Sequence, residues 1–374
     1  MFLSPYTNRF LVSKKIFYIS HHPLENQNGP TFHTLCVCEE LARMGYHITL
    51  NAPAKDSVSA FQYIKKNLYH KSTIPILRAF DCELQALQSF FHQESIDYVY
   101  IRLANFHVLP FLVKKPFFLE INGNVLKEMR LANKQIKGIL VSHYHKILMK
   151  KASAIISVDP KITQAITFKE IEHKIFTIHN GYNHRIFFKD VKSASDTLSP
   201  YGIFSGSVQP WYDIDFLFRV FKKTFSNKPE HYFYFIVPEG SHSILNKLIQ
   251  KFELSEKVFV KTAESQEKIA PYIKGACYAL HPLISDGNPL RLFEYLACGT
   301  SVIASNISKP EFDIPHLYIC ERDEHIWAEK ILSLLQKRPL LSSSIFEVMR
   351  EKYSWQATAK NISDVFQWYE ANKS

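Results

Sequence analysis

Short apolar runs alternate with longer segments of helical spacing along most of the chain. The first run, residues 15–20, precedes a polar loop at 21–30, a helical pattern at 31–44 that ends at Gly45, and a second run at 47–51. Apolar residues recurring every three to four positions indicate a helix, and glycine is common just after a helix end. A strand, a helix and a strand in this order predict the start of a parallel sheet covered by helices.

The same alternation continues beyond residue 51 and favours two similar domains. Further strand-like runs lie at residues 98–101, 117–121, 155–158, 175–178, 202–207, 232–237, 257–260 and 278–281. Such runs are typical of strands buried in a parallel sheet. A polar, serine-rich stretch at 189–200 divides the series and is the best linker candidate. The pattern therefore predicts an α/β protein of two Rossmann-like, doubly wound domains.

Composition narrows the class of protein. The chain has 374 residues, enough for two domains, and 46% of them are hydrophobic. No apolar run approaches the ~18 residues that a membrane span requires. Residues 1–15 lack the apolar core and cleavage site of a signal peptide. The six cysteines show no metal-ligand spacing with histidine. We therefore expect a cytoplasmic protein with reduced cysteines and no bound metal.

The net charge of +10 is concentrated in one segment. Residues 127–151 contain seven Lys or Arg against one acid, Glu128, with apolar residues interleaved. Those apolar residues are Leu131, Ile139, Leu140, Ile147 and Leu148. The segment is either a solvated helix face or a face that binds an anionic membrane surface. Nucleic acid is not expected as a partner, because no nucleic-acid-binding motif accompanies the charge.

A helix start in the second half is suited to binding an anion. Asn288 is a good N-cap, and Pro289 fits the first helical position, where no backbone N–H is needed. The free N–H groups of Leu290 and Arg291 would then point out of the helix, and the arginine adds a formal charge. Glu294, about one turn further on, is an acceptor suited to a pair of hydroxyl groups. A diphosphate and a ribose placed in this way predict a nucleotide-sugar site.

Asp286, eight positions before Glu294, completes a recognisable spacing. The segment resembles the acidic-x7-Glu signature of retaining glycosyltransferases with the GT-B fold, in particular family 4 (group 1). Those proteins usually carry Glu at the first position, where this chain has the shorter Asp. Five patches in the family's order carry the resemblance: residues 28–33, 120–122, 180–181, 206–211 and 286–299.

The resemblance implies a domain organisation. Residues 1–188 would form an N-terminal acceptor-binding domain, and residues 189–352 a domain that binds the nucleotide-sugar. The two would face a cleft holding the active site, and a C-terminal helix at 353–374 would cross back to the first domain. GT-B enzymes generally use the protein's own charges, so neither a metal nor another cofactor is implied.

The resemblance also implies roles on the donor side. Asp286 would orient sugar hydroxyls, Glu294 would hold the ribose, and Arg291 would stabilise the leaving diphosphate. As an alternative, Asp286 is only a turn residue before Gly287. The predicted donor-binding residues are Gly206, Ser207, Gln209, Gly287, Asn288, Pro289, Leu290 and Asn180.

Two positions on this side depart from the family. Gln209 and Tyr212 stand where members often carry basic residues. Either Arg291 and an unidentified lysine suffice for catalysis, or the protein binds its ligand more than it turns it over.

The acceptor side is assigned to the first domain. The predicted residues are Gly29, His33, Arg102, Glu120 and Asn122. The strand ends that carry several of them face the ligand crevice of an open α/β sheet. An equally open alternative is that Glu120 to Gly123 forms a capped turn and that His33 is structural.

The sequence thus predicts a glycosyltransferase of hexosyl groups, acting from a UDP- or GDP-sugar on a glycan or lipid-linked acceptor. The acceptor would be a surface polysaccharide, a lipopolysaccharide or a glycolipid, and the protein would be cytoplasmic or peripheral at the inner membrane face. Two alternatives remain: a non-catalytic subunit that binds a sugar-nucleotide or glycan, and a GT-B-fold UDP-sugar epimerase.

Overall fold

The computed structural model describes most of the chain as two compact units. Described are residues 14–24, 29–54, 64–69, 75–93, 95–104, 106–131, 133–262, 265–284, 290–306, 314–337, 339 and 343–373. The first unit runs to Asn180 and includes the C-terminal segment from Trp355, and the second is Gly181–Ser354. Residues 181–188, assigned to the first domain from sequence, cluster with the second unit because Tyr182 and Phe187 pack in its core.

The first unit is built on a parallel sheet with seven strands among its described residues. The strands are Lys15–Ile19 (β1), His47–Pro53 (β2), Ile64–Tyr69 (β3), Tyr98–Arg102 (β4), Phe117–Ile121 (β5), Ala154–Ser157 (β6) and Ile175–Thr177 (β7). Their spatial order is β3-β2-β1-β4-β5-β6-β7. The helices are Gly29–Arg43 (α1), Pro75–Phe91 (α2), Leu109–Leu112 (α3), Val125–Leu131 (α4), Gln135–Lys151 (α5) and Pro160–Ile166 (α6). The order reverses between β1 and β4, where open α/β sheets bind ligands.

The second unit repeats this architecture, with six parallel strands in its described part. The strands are Tyr201–Ser205 (β8), Tyr232–Val237 (β9), Val258–Thr262 (β10), Tyr278–His281 (β11), Ser301–Ser305 (β12) and Leu317–Cys320 (β13). Their order is β10-β9-β8-β11-β12-β13. The helices are Ile214–Asn227 (α7), His242–Lys251 (α8), Gln266–Gly275 (α9), Leu290–Ala297 (α10), Glu324–Gln336 (α11) and Ser343–Tyr353 (α12).

The C-terminal helix, Trp355–Asn372 (α13), packs on the first unit. The hydroxyl of Tyr46 lies 2.7 Å from Ser363 Oγ, and the Phe366 ring lies 4.6 Å from that of Phe118. Burial of this apolar face holds the helix on the unit. The predicted α/β class, the two Rossmann-like units and the returning helix are confirmed. Within the described residues, no helix has the length and apolar character needed to cross a bilayer.

Two of the four edge strands, β3 and β13, were not predicted from the sequence pattern. β3 carries Lys65, Lys66 and Asn67 in its middle and lies at the edge of the first sheet. An edge strand has one neighbour and tolerates charged residues, so it lacks the continuous apolar run of a central strand. β13 is at one edge of the second sheet, and three of its four residues are only partly buried.

Candidate functional site

Arg291 and Glu294 form a buried ion pair at the start of α10. Nη1 of Arg291 donates to Oε2 of Glu294 at 2.5 Å, and Nε2 of Gln266 donates to Oε1 at 3.3 Å. The Glu294 side chain is 4% exposed and that of Arg291 is 20% exposed. Glu294 is therefore not a solvated acid on a helix surface: its carboxylate is held in a fixed orientation between α9 and α10.

Burial and the opposite charge of the partner shift the pKa of each residue of this pair in opposite directions. Burial raises the pKa of Glu294 above its ordinary value, and the neighbouring Arg291 only partly offsets it. For Arg291, burial alone would lower the pKa, but the Glu294 carboxylate raises it above the usual value of a guanidinium. The arginine therefore stays charged.

Gly206, directly after β8, allows the Arg291 side chain to approach the strand end. Its φ is +117°, a conformation that favours glycine, and a Cβ there would lie 3.2 Å from Nε of Arg291. The N–H of Gly206 donates to the carbonyl of Ile236 at 3.0 Å. This N–H is therefore used by the sheet, and the predicted donor-binding role of Gly206 stays a prediction. Gly206 contributes space for the arginine.

Tyr295 fixes α10 to the same strand end. Its hydroxyl accepts from the N–H of Ser205 at 2.8 Å and lies 3.2 Å from the Ser205 hydroxyl. The loop after β8 is tied down as well, since the N–H of Val208 donates to Ser241 Oγ at 3.1 Å. The position of Arg291 thus follows from contacts made by its neighbours on the helix and on the strand.

The loop that carries Gln209 and Tyr212 is pinned to the end of β11. Tyr212 forms an antiparallel bridge with Leu283, and the N–H of Asp213 donates to the carbonyl of Pro282 at 3.0 Å. The Tyr212 ring packs edge-on against His281 at 5.4 Å. Burial raises the pKa of Tyr212, so its hydroxyl stays neutral and supplies no charge.

Part of the predicted donor site lies outside the described residues. These positions are Asp286, Gly287, Asn288 and Pro289. α10 begins at Leu290 in the described part of the chain. Asn180, another predicted donor residue, is the last residue of the first unit and is buried. The roles of these residues, and those of Ser207 and Gln209, stay predictions.

Four of the predicted acceptor residues meet at one carboxylate in the first unit. Three groups approach Oε1 of Glu120: Nε2 of His33 at 2.7 Å, Nδ2 of Asn122 at 2.6 Å and Nε of Arg102 at 3.5 Å. The hydroxyl of Tyr100 donates to Oε2 at 2.7 Å. They lie at the carboxyl ends of β4 and β5 and in the first turns of α1. The predicted Gly29 is the first residue of α1.

The Glu120 carboxyl is buried but ionised. Burial alone would raise its pKa, but His33, Arg102 and Asn122 together lower the pKa to about 2. Each neighbour favours the charged form by opposite charge or by hydrogen bonding. The carboxylate therefore acts as a fixed centre that orients the polar side chains around it.

A second cluster in the first unit has no signal in the sequence. His21, Glu83 and His107 bring ligating atoms within 4.8 Å of one another, a grouping that could hold a metal ion. Nε2 of His21 lies 2.9 Å from Glu83 Oε1, and Nδ1 of His107 lies 3.1 Å from it. The three residues come from the end of β1, from α2 and from the segment after β4, so only the fold brings them together.

The tautomer of His107 favours a hydrogen-bonded cluster over a metal site. The N–H of Ala104 donates to Nε2 of His107 at 3.0 Å, which places the ring proton on Nδ1, facing Glu83. A metal on Nδ1 would have to displace that proton while Nε2 still accepts a hydrogen bond. The expectation of no bound metal stays a prediction.

Comparison with family models identifies part of the chain. Residues 199–337 match the model described as glycosyl transferases group 1. The second unit carries a glycosyl transferase group 1 domain. Gly206, Gln266, Arg291, Glu294 and Tyr295 all lie within this group 1 domain, whereas the Glu120 cluster lies outside it. A comparison with curated proteins gives no match.

Solved structures resemble nearly the whole chain. Sucrose-phosphate synthase from Thermosynechococcus elongatus is 15% identical, with a TM-score of 0.78, covering 96% of this chain and 100% of the other. A glycosyltransferase from Rickettsia africae is 14% identical, with a TM-score of 0.73 and coverage of 96% and 100%. The Anabaena protein HepE, in complex with UDP and glucose, is 14% identical, with a TM-score of 0.68 and coverage of 95% and 100%. At these identities the likeness shows the fold, which is that of GT-B glycosyltransferases.

Proposed function

We propose that the protein is a retaining glycosyltransferase that moves a hexosyl group from a UDP- or GDP-sugar to a glycan or lipid-linked acceptor. The observation that carries the proposal is the Arg291–Glu294 pair beside Gly206, inside a group 1 domain. The acceptor class we favour is a surface polysaccharide, a lipopolysaccharide or a glycolipid. HepE, which shares the fold, binds UDP and glucose, and this supports a nucleotide-sugar donor.

Arg291 would stabilise the charge that develops on the leaving nucleoside diphosphate. Its guanidinium is held at a strand end by Glu294 and by the space above Gly206, so it needs little reorganisation when the sugar–phosphate bond breaks. The N-terminus of α10 adds to the positive potential. In this proposal the protein's own charges act without a metal ion, and Asp286 orients the sugar hydroxyls.

Glu294 would hold the ribose of the donor. A carboxylate has about four acceptor positions, and Gln266 and Arg291 use one on each oxygen. The remaining lone pairs can accept from the two ribose hydroxyls. Because the carboxylate is fixed by its partners, it would bind them with little loss of side-chain entropy.

The test is release of the nucleotide in the presence of candidate acceptors. Purified protein is supplied with UDP-glucose or GDP-mannose, and free nucleotide and the anomeric configuration of the product are measured. Glu294→Gln should lower nucleotide release at least tenfold, whereas Glu329→Gln, an exposed acid on α11, should leave it unchanged. Inversion at the anomeric carbon would contradict the retaining mechanism.

A second candidate, a non-catalytic subunit that binds the nucleotide-sugar, is favoured by one observation. The loop where family members often carry basic residues has Gln209 and a neutral Tyr212 packed against His281. Such a protein would bind nucleotide-sugars through Arg291 and Glu294 without releasing nucleotide. Binding without turnover across the acceptor panel would support it.

We also propose that α5 binds an anionic membrane surface. Its outward face presents Ile136, Ile139, Leu140 and Ile147, which are 79%, 63%, 67% and 42% exposed. Their spacing of three, four and seven residues places them in one stripe on the helix. Leu148, also expected in this face, is instead fully buried in the core. The side chain of Leu131 lies outside the described residues.

Exposed lysines lie beside the apolar stripe and favour a negatively charged binding surface. Lys137, Lys146, Lys150 and Lys151 are exposed on the same helix. An apolar stripe with lysines beside it fits the boundary between acyl chains and anionic headgroups. A membrane surface would bring the protein close to a lipid-linked acceptor.

A further inference from the structure

Three large apolar side chains are exposed around the short helix α3. Phe106 and Phe111 are each 39% exposed, and Leu112 is 57% exposed. All three lie within residues 106–112, which we call the α3 corner. Apolar side chains scattered singly over a surface need no explanation, but a cluster of them marks a surface that another molecule covers.

Buried contacts on two sides hold the α3 corner in place. Oε2 of Glu83, on α2, accepts from the N–H of Val108 at 2.5 Å, and Nδ1 of His107 lies 3.1 Å from Oε1 of the same carboxylate. The hydroxyl of Tyr144, on α5, accepts from the N–H of His107 at 3.0 Å and donates to its carbonyl oxygen. Burial alone would raise the pKa of Glu83, but His107 and His21 hold it below its ordinary value. The corner is therefore fixed by an ionised carboxylate and a tyrosine.

Aromatic contacts join the α3 corner to α5. The Tyr144 ring lies 5.3 Å from that of Phe106 and 6.1 Å from that of Phe111. Nζ of Lys151, the last residue of α5, lies 5.2 Å from the centre of the Phe111 ring. The two exposed rings of the corner thus pack directly on the helix.

Tyr144 and Lys151 stand in line with the exposed apolar stripe of α5. The series Leu140, Tyr144, Ile147 and Lys151 has spacings of four, three and four residues, which place all four side chains on one face of the helix. The α3 corner therefore continues the surface that this stripe begins.

The charges around the α3 corner determine which molecule can cover it. Lys114 and Lys115 follow the corner directly and are exposed, and residues 103–116 contain no Asp or Glu. At the end of α5, Lys150 pairs with Glu170 at 3.1 Å, whereas Lys151 lies over Phe111. A bilayer with anionic lipid fits this arrangement, because it offers an apolar interior directly beneath a negatively charged surface.

We propose that the α3 corner inserts into the interfacial region of an anionic membrane, with its three apolar side chains among the acyl chains and Lys114 and Lys115 at the headgroups. The inference rests on the membrane binding proposed above for α5, because the two surfaces are continuous. It assigns the inserted contact to a segment outside the basic stretch 127–151. Long lysine side chains can reach the headgroups while the residues beside them enter the apolar layer.

The first experiment measures vesicle binding by the full chain. Flotation is run with vesicles of phosphatidylcholine alone and with vesicles of phosphatidylcholine and phosphatidylglycerol in equal parts. The corner variant carries Phe111→Ser and Leu112→Ser together. Its matched control carries Ile326→Ser and Val348→Ser, two positions of the second unit that are each 41% exposed. The variants are compared at equal folded fraction, measured by circular dichroism.

A second variant reports insertion directly. Phe111→Trp keeps an aromatic ring against Tyr144 and adds a fluorophore to the corner. Its emission, measured relative to that of the unaltered protein, should shift to shorter wavelength with anionic vesicles and be quenched by brominated acyl chains. Because this variant keeps the corner apolar, it decides the outcome if the corner variant does not fold.

Two charge variants test the lysines. Lys114→Gln with Lys115→Gln should weaken binding to the anionic vesicles severalfold. Lys222→Gln with Lys247→Gln removes the same charge from exposed positions of the second unit and should leave binding unchanged. Equal losses in the two charge variants would mean that net charge alone attracts the protein, and this overturns the proposal.

Roughly tenfold weaker binding of the corner variant than of its control to anionic vesicles, with the emission shift and quenching in Phe111→Trp, supports the proposal. Unchanged binding of the corner variant, unchanged emission of Phe111→Trp, or equal binding to both kinds of vesicle overturns it. If Ile139→Ser with Leu140→Ser abolishes binding and the corner variant does not weaken it, the proposal for α5 stands and this one is overturned. No vesicle binding by the unaltered protein overturns both. Vesicle binding that meets the first outcome in a protein that releases no nucleotide counts against the proposed transferase activity and supports this surface.

Discussion

Arg291 and Glu294, on the same face of α10, are joined by a 2.5 Å contact, and the Arg291 side chain lies close above Gly206, the residue after β8. The arginine is partly exposed and the glutamate is buried. The helix therefore presents a cation toward the strand end while its counter-charge stays inside. This relationship connects the packing of the second unit with its proposed chemistry.

Arg291→Met should destabilise the protein. Removing the cation leaves the Glu294 carboxyl buried without its partner, and breaking a buried pair costs roughly 3 kcal/mol of the free energy of unfolding. Denaturant unfolding measures the difference. Lys360→Met, which removes an exposed pair with Asp364 on α13, should cost less than about 1 kcal/mol. Equal losses in the two variants would contradict a buried role for the Arg291 pair.

Gly206→Ala should reduce both stability and nucleotide affinity. The positive φ is strained for alanine, and the new Cβ would press on Nε of Arg291. We expect a loss of about 1–2 kcal/mol in the free energy of unfolding and a weaker nucleotide complex. Gly240→Ala is the control, because a Cβ there meets no atom within 4 Å. Unchanged nucleotide affinity in Gly206→Ala would contradict a role of Arg291 in nucleotide binding.

Glu120 should make stability dependent on acid pH. Its folded pKa of about 2 lies below the ordinary value of 4.5, so its contribution is present above 4.5 and is lost as the pH falls toward 2. The shift corresponds to on the order of 3 kcal/mol. The difference in unfolding free energy between the unaltered protein and Glu120→Gln should therefore be largest at pH 6 and shrink on acidification. A difference that is the same at pH 6 and pH 3 would mean that the carboxylate is not stabilised in the folded state.

Membrane binding should depend on the outward face of α5. Replacing Ile139 and Leu140 by serine removes exposed apolar area, and flotation with vesicles containing anionic lipid should fall severalfold. Ile244→Ser, at a position on α8 that is 51% exposed, should not change it. Equal binding to neutral and to anionic vesicles would contradict the proposal that the lysines bind anionic headgroups.

The sequence predicted the fold well because central strands of a parallel sheet are continuous apolar runs. Gly45, which has a φ of +99°, ends α1 as expected of a residue after a helix. The edge strand β3 was not predicted, because Lys65 and Lys66 interrupt its apolar pattern.

The candidate site was only partly predictable, for a related reason. His33, Arg102, Glu120 and Asn122 could each be named from strand ends and from resemblance, but their meeting at one carboxylate is a property of the fold. The Gln266 contact to Glu294 comes from another helix. The N–H of Gly206 is used by the sheet because β8 pairs with β9, and a local sequence pattern does not show which strands pair.

The most direct test of the central claim is thermal stability of the purified protein against UDP, GDP, ADP, CMP and their sugars. A ligand at one hundred times its dissociation constant adds roughly 2.7 kcal/mol, a measurable shift in melting temperature. We predict a shift with uridine or guanosine diphosphate compounds alone, and its loss in Glu294→Ala. No shift with any nucleotide, or a shift that Glu294→Ala retains in full, would contradict the account.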